Sequence, residues 1–402
     1  MNYDLIIVGG GAAGFFTAIN AAEHNPKLKI AILERGKEVL SKVRVSGGGR
    51  CNVTHAEFIP NELVKNYPRG EKELKGPFHT FMTGDTIEWF EQRGVELKIE
   101  EDGRMFPVTD SSETIINCFL GETKRLNIEV LTNQAVKKIQ PKDDYWRITT
   151  NTSDFEAKKL MIATGSNPKI WKMLKDLGHY IVDPVPSLFT FNCKDSRIKE
   201  LMGVVTQASV KIQNSKLSSE GPLLITHWGM SGPAILKLSA WGAAELHALN
   251  YNFEIKVNWR EYYTFDETLE ELKIFKTKMA KQQVSKYTQF ELPKRLWQSL
   301  VTAAQIQSYQ KWADVNKNQL QALARELTAG IFTIKGKSTF KEEFVTAGGI
   351  DLKEVNFKTY ESKKHKNLYF AGEVLNIDAI TGGFNFQNAW TGAFIAAQAI
   401  NS

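Results

Sequence analysis

Residues 46–52 read SGGGRCN, three consecutive glycines followed by an arginine, a cysteine and an asparagine. Glycines let successive backbone N–H groups converge on an anionic or carbonyl oxygen with no Cβ in the way. Arg50 then adds a fixed charge that could neutralise a bound anion, and Asn52 a carboxamide able to donate and accept along the edge of a ring. Cys51 has no resolving partner at CxxC spacing, so a small packing residue is the simpler reading than a redox thiol. His227, beside Trp228 and a glycine turn, is the best acid/base candidate downstream, with an ordinary loop histidine as the plainer alternative. Arg50 and His227 are therefore the only catalytic candidates. Neither a Ser-His-Asp set nor metal-spaced His/Cys/Asp residues are visible, so no metal is expected and the chemistry must come from an organic cofactor.

The elements that would hold such a cofactor begin at the first residues. DLIIV (4–8) has the pattern of a buried strand and 14–23 that of a helix with small residues on its packing face, joined by GGGAAG. Gly9-x-Gly11-x-x-Gly14 permits a tight turn and close approach of a pyrophosphate, with Ala12 and Ala13 at the helix N-terminus facing the phosphates. A second buried run, 30–33, ends in Glu34 and Arg35, with Glu34 twenty residues after Gly14, where a carboxylate can bind an adenosine ribose. No second GxGxxG follows a strand, so one tightly held dinucleotide is expected. Residues 128–139 alternate as a strand pair, placing Val136 where an adenine edge could be read, and LMIATG (160–165) brings Ala163, Thr164 and Gly165 to a strand end beside the first unit.

The stretch 368–400 discriminates between dinucleotides. A short strand ends at Gly372 and Glu373, and Gly382-Gly383 turn into a long apolar helix starting near Asn385, with Phe384 and Gln387 in its first turns. The partial positive charge at such a tip suits the negative charge that develops at N1 and the C2 carbonyl of a flavin on reduction, which a nicotinamide never acquires. FAD is therefore the expected resident cofactor.

Composition limits the rest. The 402 residues are 42% hydrophobic, enough for two or three domains. The three cysteines, Cys51, Cys118 and Cys193, are odd in number and far apart, which argues against disulfides and zinc. The first residues carry neither a basic n-region nor a cleavage site and no apolar run reaches about 20 residues, so the expectation is a cytoplasmic protein without a membrane anchor.

VGGGAAG (8–14), SGGGRCNVT (46–54), THWGMSGPA (226–234) and FAGEVLNIDAITGGFNFQNAW (370–390) together make the chain resemble the BaiN-like family of bacterial flavoproteins, NAD(P)/FAD-dependent oxidoreductases that include aminoacetone oxidase. The resemblance implies an α/β fold: a glutathione-reductase-like Rossmann FAD domain from both chain ends, 1–188 and 344–402, interrupted by an insert at 189–343. The insert divides into a small β-barrel, 189–263 with 331–343, and a helical piece, 264–330. Within it, strands are expected at 187–193, 203–213, 222–228 and 252–259, one helix over 232–249, and helices after the Thr264-x-x-Glu267 capping box, over 292–308 and over 316–328. The implied site comprises the glycines and Glu34 above, Ser46, Gly47, Gly48, Gly49, Arg50, Cys51 and Asn52, and the two later segments. The chain departs from the family pattern at His55, Asn376 and Phe384.

Residues 189–343 hold 21 Lys+Arg against 15 Asp+Glu, and the remainder 30 of each. The net charge of +6 thus lies in the insert, either as a solvated surface or as a field for anionic substrates or a phosphorylated electron donor. Three functions remain: an enzyme passing electrons between a small organic molecule and NADH, NADPH or oxygen; an RNA-modifying flavoenzyme related to folate-dependent tRNA methyltransferases; and a non-catalytic flavin module. The sequence lacks a dense basic stripe with interleaved aromatics, so a nucleic-acid partner ranks below a small-molecule substrate.

Overall fold

The computed structural model describes residues 2–338 and 345–402, and within it the chain divides into two compact units, Met1–Val185 with Lys341–Ser402, and Pro186–Phe340. The expected boundary at 343/344 lies outside the described residues.

The first unit is built on β1 (Asn2–Val8), α1 (Ala12–His24) and β2 (Ile30–Leu33). Their apolar runs are buried on both faces of a parallel sheet, which is why they read as continuous hydrophobic stretches rather than alternating ones. Parallel strands run in the order 368–370, 154–162, β1, β2, 129–131, with Ile6 opposite both Ala31 and Leu160. This order brings the C-terminal ends of β1, of Asp154–Ile162 and of Leu368–Phe370 together, where a ligand binds in such sheets. The predicted strand pair over 128–139 is not a pair: Glu129–Leu131 joins β2, while Val136–Pro141 pairs antiparallel with Trp146–Thr150. The C-terminal helix, Phe384–Ile400, packs beside α1; Phe16 lies 5.2 Å from Trp390, and Asn401 donates to Ala21 O.

The second unit has its own core, centred on Trp297, Trp312, Leu296 and Leu323. Its strand order is 330–335, 252–258, 205–212, 218–225, 229–231, 190–192, 337–338. The two ends of this path are successive pieces of one segment, bent at Gly336 (φ +90°), whose carbonyl accepts from Asn192 N. The sheet thereby closes on itself, which removes exposed strand edges. The helix expected over 232–249 is broken into Pro233–Trp241 and Ala243–Ala248 at Gly242, where a Cβ would lie 2.9 Å from Leu217 Cδ1. Helices Phe265–Lys278, Lys294–Ala303 and Lys317–Ala329 complete the unit. The first carries the expected capping box, Thr264 N–H donating to Glu267 Oε2 and Glu267 N–H to Thr264 Oγ1. No helix among the described residues is long and apolar enough to cross a membrane.

Candidate cofactor and active site

The turn after β1 is fixed by contacts that admit no side chain. Gly9 has φ +115°, and a Cβ there would stand 2.4 Å from Ala163 O; one on Gly14 would stand 2.0 Å from Gly9 O. Ala163 and the Thr164–Gly165 turn therefore lie directly against the glycine turn, as the sequence pattern suggested. Glu34 is held by backbone: Oε2 accepts from Gly10 N at 2.9 Å and Oε1 from Gly36 N at 2.8 Å. The carboxylate thus ties the β1–α1 turn to the end of β2. Gln134 N–H donates to Glu34 O, which brings the segment leading to Val136 to the same strand end. Arg35 is exposed.

Residues 41–49 form a short helix, α2, that is interrupted at its end: Ser46 is extended, Gly47, Gly48 and Gly49 all have positive φ, and Cys51 has φ +62°. A Cβ on Gly11, Gly48 or Gly49 would meet no protein atom within 4 Å. The bare backbone of the two glycine loops is therefore accessible to a ligand. α1 starts at Gly11 with no side-chain cap and no acidic residue in its first turn, leaving its positive end available to phosphates.

Asn52, nearly buried, joins this loop to the C-terminal helix. With its amide oriented to satisfy its neighbours, Nδ2 donates to Thr54 O (3.0 Å) and Met105 O (3.2 Å), and Oδ1 accepts from Gly383 N (3.0 Å). Both polar ends of the amide, which the sequence reading placed along a ring edge, therefore have protein partners. Gly383 (φ +95°) caps Phe384–Ile400 without a side-chain bond, and the first turn holds no acid, so the helix tip keeps its partial positive charge. Asn385 brackets the preceding loop through Ala379 N and O. Gln387 is fully buried behind the tip, accepting from Thr54 Oγ1 (2.6 Å) and Thr86 Oγ1 (3.0 Å) and donating to Thr391 Oγ1. Its side chain fixes the helix rather than contacting a ligand. The Gly372 turn lies against α1, a Cβ there standing 3.4 Å from Ala13 Cβ, and Glu373 receives Lys42 Nζ at 2.5 Å.

Arg50 also departs from expectation. Its guanidinium stands over the Phe106 ring at 3.9 Å, 2.5 Å from Glu100 Oε1 and 3.4 Å from Asp110 Oδ1, and these partners raise its pKa further. The charge expected at a flavin or substrate is engaged by two carboxylates. Cys51 is fully buried, and burial pushes its thiol up to about 12, so it packs rather than reacts. His227 lies on an exposed turn of the second unit, bounded by Thr226 Oγ1 accepting from Trp228 N and Gly229 N.

Several residues here have no local signal in the sequence. His55 stacks on Phe384 (4.4 Å between ring centres) with Nδ1 3.1 Å from Gly382 O, and burial lowers its pKa. Tyr67 is fully buried and donates to Phe384 O at 2.6 Å. Arg69 grips the fully buried Asp378 with two guanidinium nitrogens, pinning the loop before Gly382. An acid inside the apolar run 374–380 was the one available hint of such a partner. Among the described residues, no group of three or more His, Cys, Asp or Glu could hold a metal ion.

Two accessible glycine loops, two helix N-termini with no acid in their first turns and a carboxylate at the end of β2 suit a dinucleotide with an anionic pyrophosphate and an electron-accepting ring, as in FAD. Comparison with known proteins agrees. Residues 3–399 match the family described as HI0933-like protein Rossmann domain. The chain is 28% identical to the ribosomal RNA dihydrouridine synthase of Escherichia coli (strain K12), over 98% of this chain and 97% of that one. It is 26% identical to the 3-dehydro-bile acid delta(4,6)-reductase of Clostridium scindens, over 98% of both. Its fold is similar to that of 3-ketosteroid-delta4-(5alpha)-dehydrogenase from Rhodococcus jostii RHA1, with TM-score 0.53, 11% identity, and coverage of 100% of this chain and 97% of that one.

Proposed function

The chain belongs to the HI0933-like family of Rossmann-domain proteins, and on that footing we propose that it is a reductase that saturates a carbon–carbon double bond conjugated to a carbonyl, with uridine in ribosomal RNA as substrate. FAD is its cofactor and oxidoreduction its chemistry. When bound and reduced, FAD supplies the hydride, and NADH or NADPH is the donor we assign to reduce it. Glu34 and the Gly9–Gly14 turn would hold the ADP half. The N-terminus of Phe384–Ile400, set by Asn52 and Gln387, would stabilise negative charge developing on the reduced flavin.

The observation that carries this reading is the end-to-end similarity to a protein named for making dihydrouridine. Dihydrouridine differs from uridine by one hydrogen pair across the C5–C6 bond, next to a carbonyl. The Clostridium scindens relative is named for reducing double bonds of a 3-dehydro, that is 3-oxo, bile acid, so both names describe the same bond chemistry. This reverses the ranking drawn from sequence, in which a small organic substrate came first and RNA second. A small conjugated ketone remains the second reading, supported by the Clostridium scindens relative.

Deleting the gene and digesting ribosomal RNA to nucleosides tests the proposal by mass spectrometry. A dihydrouridine lost on deletion and restored by the gene in trans is expected. Unchanged dihydrouridine, together with NAD(P)H-dependent reduction of conjugated ketones by the purified protein, would transfer the function to the second reading.

A further inference from the structure

The charge excess of the second unit is concentrated. Residues 272–313 hold eight Lys+Arg and a single acid, Glu291, an imbalance larger than the net +6 of the whole chain. Two stretches of this segment are bound side by side. Gln283 bridges Lys311 in antiparallel register, Val284 N donates to Gln310 O, Trp312 N to Gln282 O and Ala313 N to Ala280 O. Alternation along such a pair separates its faces. Val284 and Trp312 are fully buried, whereas Lys281, Gln283, Tyr309 and Lys311 are all exposed. Tyr309 is 72% exposed, and Tyr287 at the end of the same ribbon is 47% exposed with Lys286 Nζ 5.6 Å from its ring centre. Among the described residues no carboxylate forms an ion pair with Lys281, Lys286 or Lys311, although such pairs are frequent elsewhere on this surface, as at Lys273–Glu270. A core of tryptophans on one side of a ribbon thus props out lysines and tyrosines on the other.

We propose that this ribbon, 280–287 with 308–313, is an RNA-docking surface: its lysines contact phosphates and Tyr309 and Tyr287 stack on unpaired bases. Free ammonium groups would attract any polyanion, but large exposed tyrosine rings among them add nothing to phosphate binding and suit flat bases. The surface differs from the flavin site, which belongs to the other unit, and it rests on the reading of RNA as substrate.

The experiment uses the full-length holoprotein and a uridine-rich single-stranded RNA alongside protein-free ribosomal RNA. Affinity is measured across a salt series for wild type, Lys281→Ala/Lys311→Ala and Tyr309→Ala. The double lysine variant should bind about tenfold more weakly, with the log–log salt slope lowered by about 1.5, because each lost phosphate contact removes about 0.7–0.9. Tyr309→Ala should weaken binding about tenfold with the slope unchanged. Flavin content and thermal midpoint, measured on the same samples, should match wild type, which separates lost docking from lost folding. Wild-type affinity in both variants overturns the docking surface while leaving RNA as substrate. Absence of RNA binding by the wild type overturns both. A polyglutamate peptide bound as tightly as RNA, with Tyr309→Ala without effect, would reassign the ribbon to an acidic protein partner.

Discussion

Glu34 holds the fold through its carboxylate and is the residue proposed to bind the ribose of the cofactor. Its two oxygens take the Gly10 and Gly36 amides, so removing it frees one donor in the β1–α1 turn proposed to receive the pyrophosphate and one just beyond β2. A hydrogen bond to a charged group is worth about 1.5–3 kcal/mol. Glu34→Ala is therefore expected to weaken FAD binding at least tenfold and to lower the thermal midpoint of the apoprotein, with Glu34→Gln between the two. Equilibrium dialysis and calorimetry check this, and FAD affinity unchanged within twofold would remove the assignment. Arg50 carries the opposite expectation. Because Glu100 and Asp110 already neutralise it, Arg50→Met should cost a few degrees of thermal midpoint at most and leave the flavin potential within ~30 mV of wild type; dye-equilibration titration decides. The thiols follow from burial. Cys51 is raised to about 12, Cys118 and Cys193 to about 11, so the native protein should resist brief alkylation of Cys51 at pH 7, and Cys51→Ser should retain FAD. Rapid labelling of Cys51 before denaturation, read by mass spectrometry, would contradict this.

At the scale of elements, what the sequence made legible was whatever is local. The glycines at 9 and 47–49 announce turns by their positive φ, Gly14 announces the close approach of α1 to the Gly9 carbonyl, and α1, β2 and the C-terminal helix announce themselves by periodicity. What stayed hidden were partners distant in sequence: Thr54 and Gln387 are separated by 333 residues and Arg69 and Asp378 by 309. Residue type suggested that Arg50 and Asn52 face a ligand, but the structure spends their polar groups on Glu100, Asp110 and Gly383. The Arg69–Asp378 pair matters most to the loop before Gly382. Asp378→Ala removes charge-assisted hydrogen bonds worth about 1.5–3 kcal/mol each, so it should lower stability and loosen FAD, as chemical denaturation would report. Two histidines set an acid limit. Burial lowers the pKa of His55 at the C-terminal helix and of His179, which lies 2.7 Å from Glu354. Below the ordinary histidine pKa the unfolded chain binds protons that the folded one refuses, so stability falls as pH drops from about 6.5 toward the lowered folded values and recovers above it. Denaturation at pH 7.5 and 5.5 should show this loss, and His55→Gln should reduce it; a flat profile would argue against both.

For the whole molecule, the chain order conceals two separate cores. The elements of the proposed flavin site come from the unit Met1–Val185 with Lys341–Ser402, whereas Pro186–Phe340 buries its own tryptophans and closes its own sheet. From the sequence the boundary came through the family resemblance, and the change in charge balance appeared only once the chain was divided there. Burial is the reason that a division near 186 and 340 makes physical sense: the hydrophobic clusters of the two units share no residue, so each has an independent source of stability. Because 186–340 is continuous, it should fold when expressed alone, with cooperative thermal unfolding and the fluorescence of buried Trp297 and Trp312. A chain joining 185 to 345 through a short glycine-serine linker should retain yellow, stoichiometric FAD, since Gly11, Glu34, Gly48, Asn52 and Gly383 all remain. If the proposed function is right, this shortened protein should still be reduced by its nicotinamide donor yet fail to modify ribosomal RNA, because the basic ribbon at 280–313 has gone. Loss of FAD from the joined protein, with native-like circular dichroism, would show that the second unit contributes to the cofactor site and would refute the division of labour argued here.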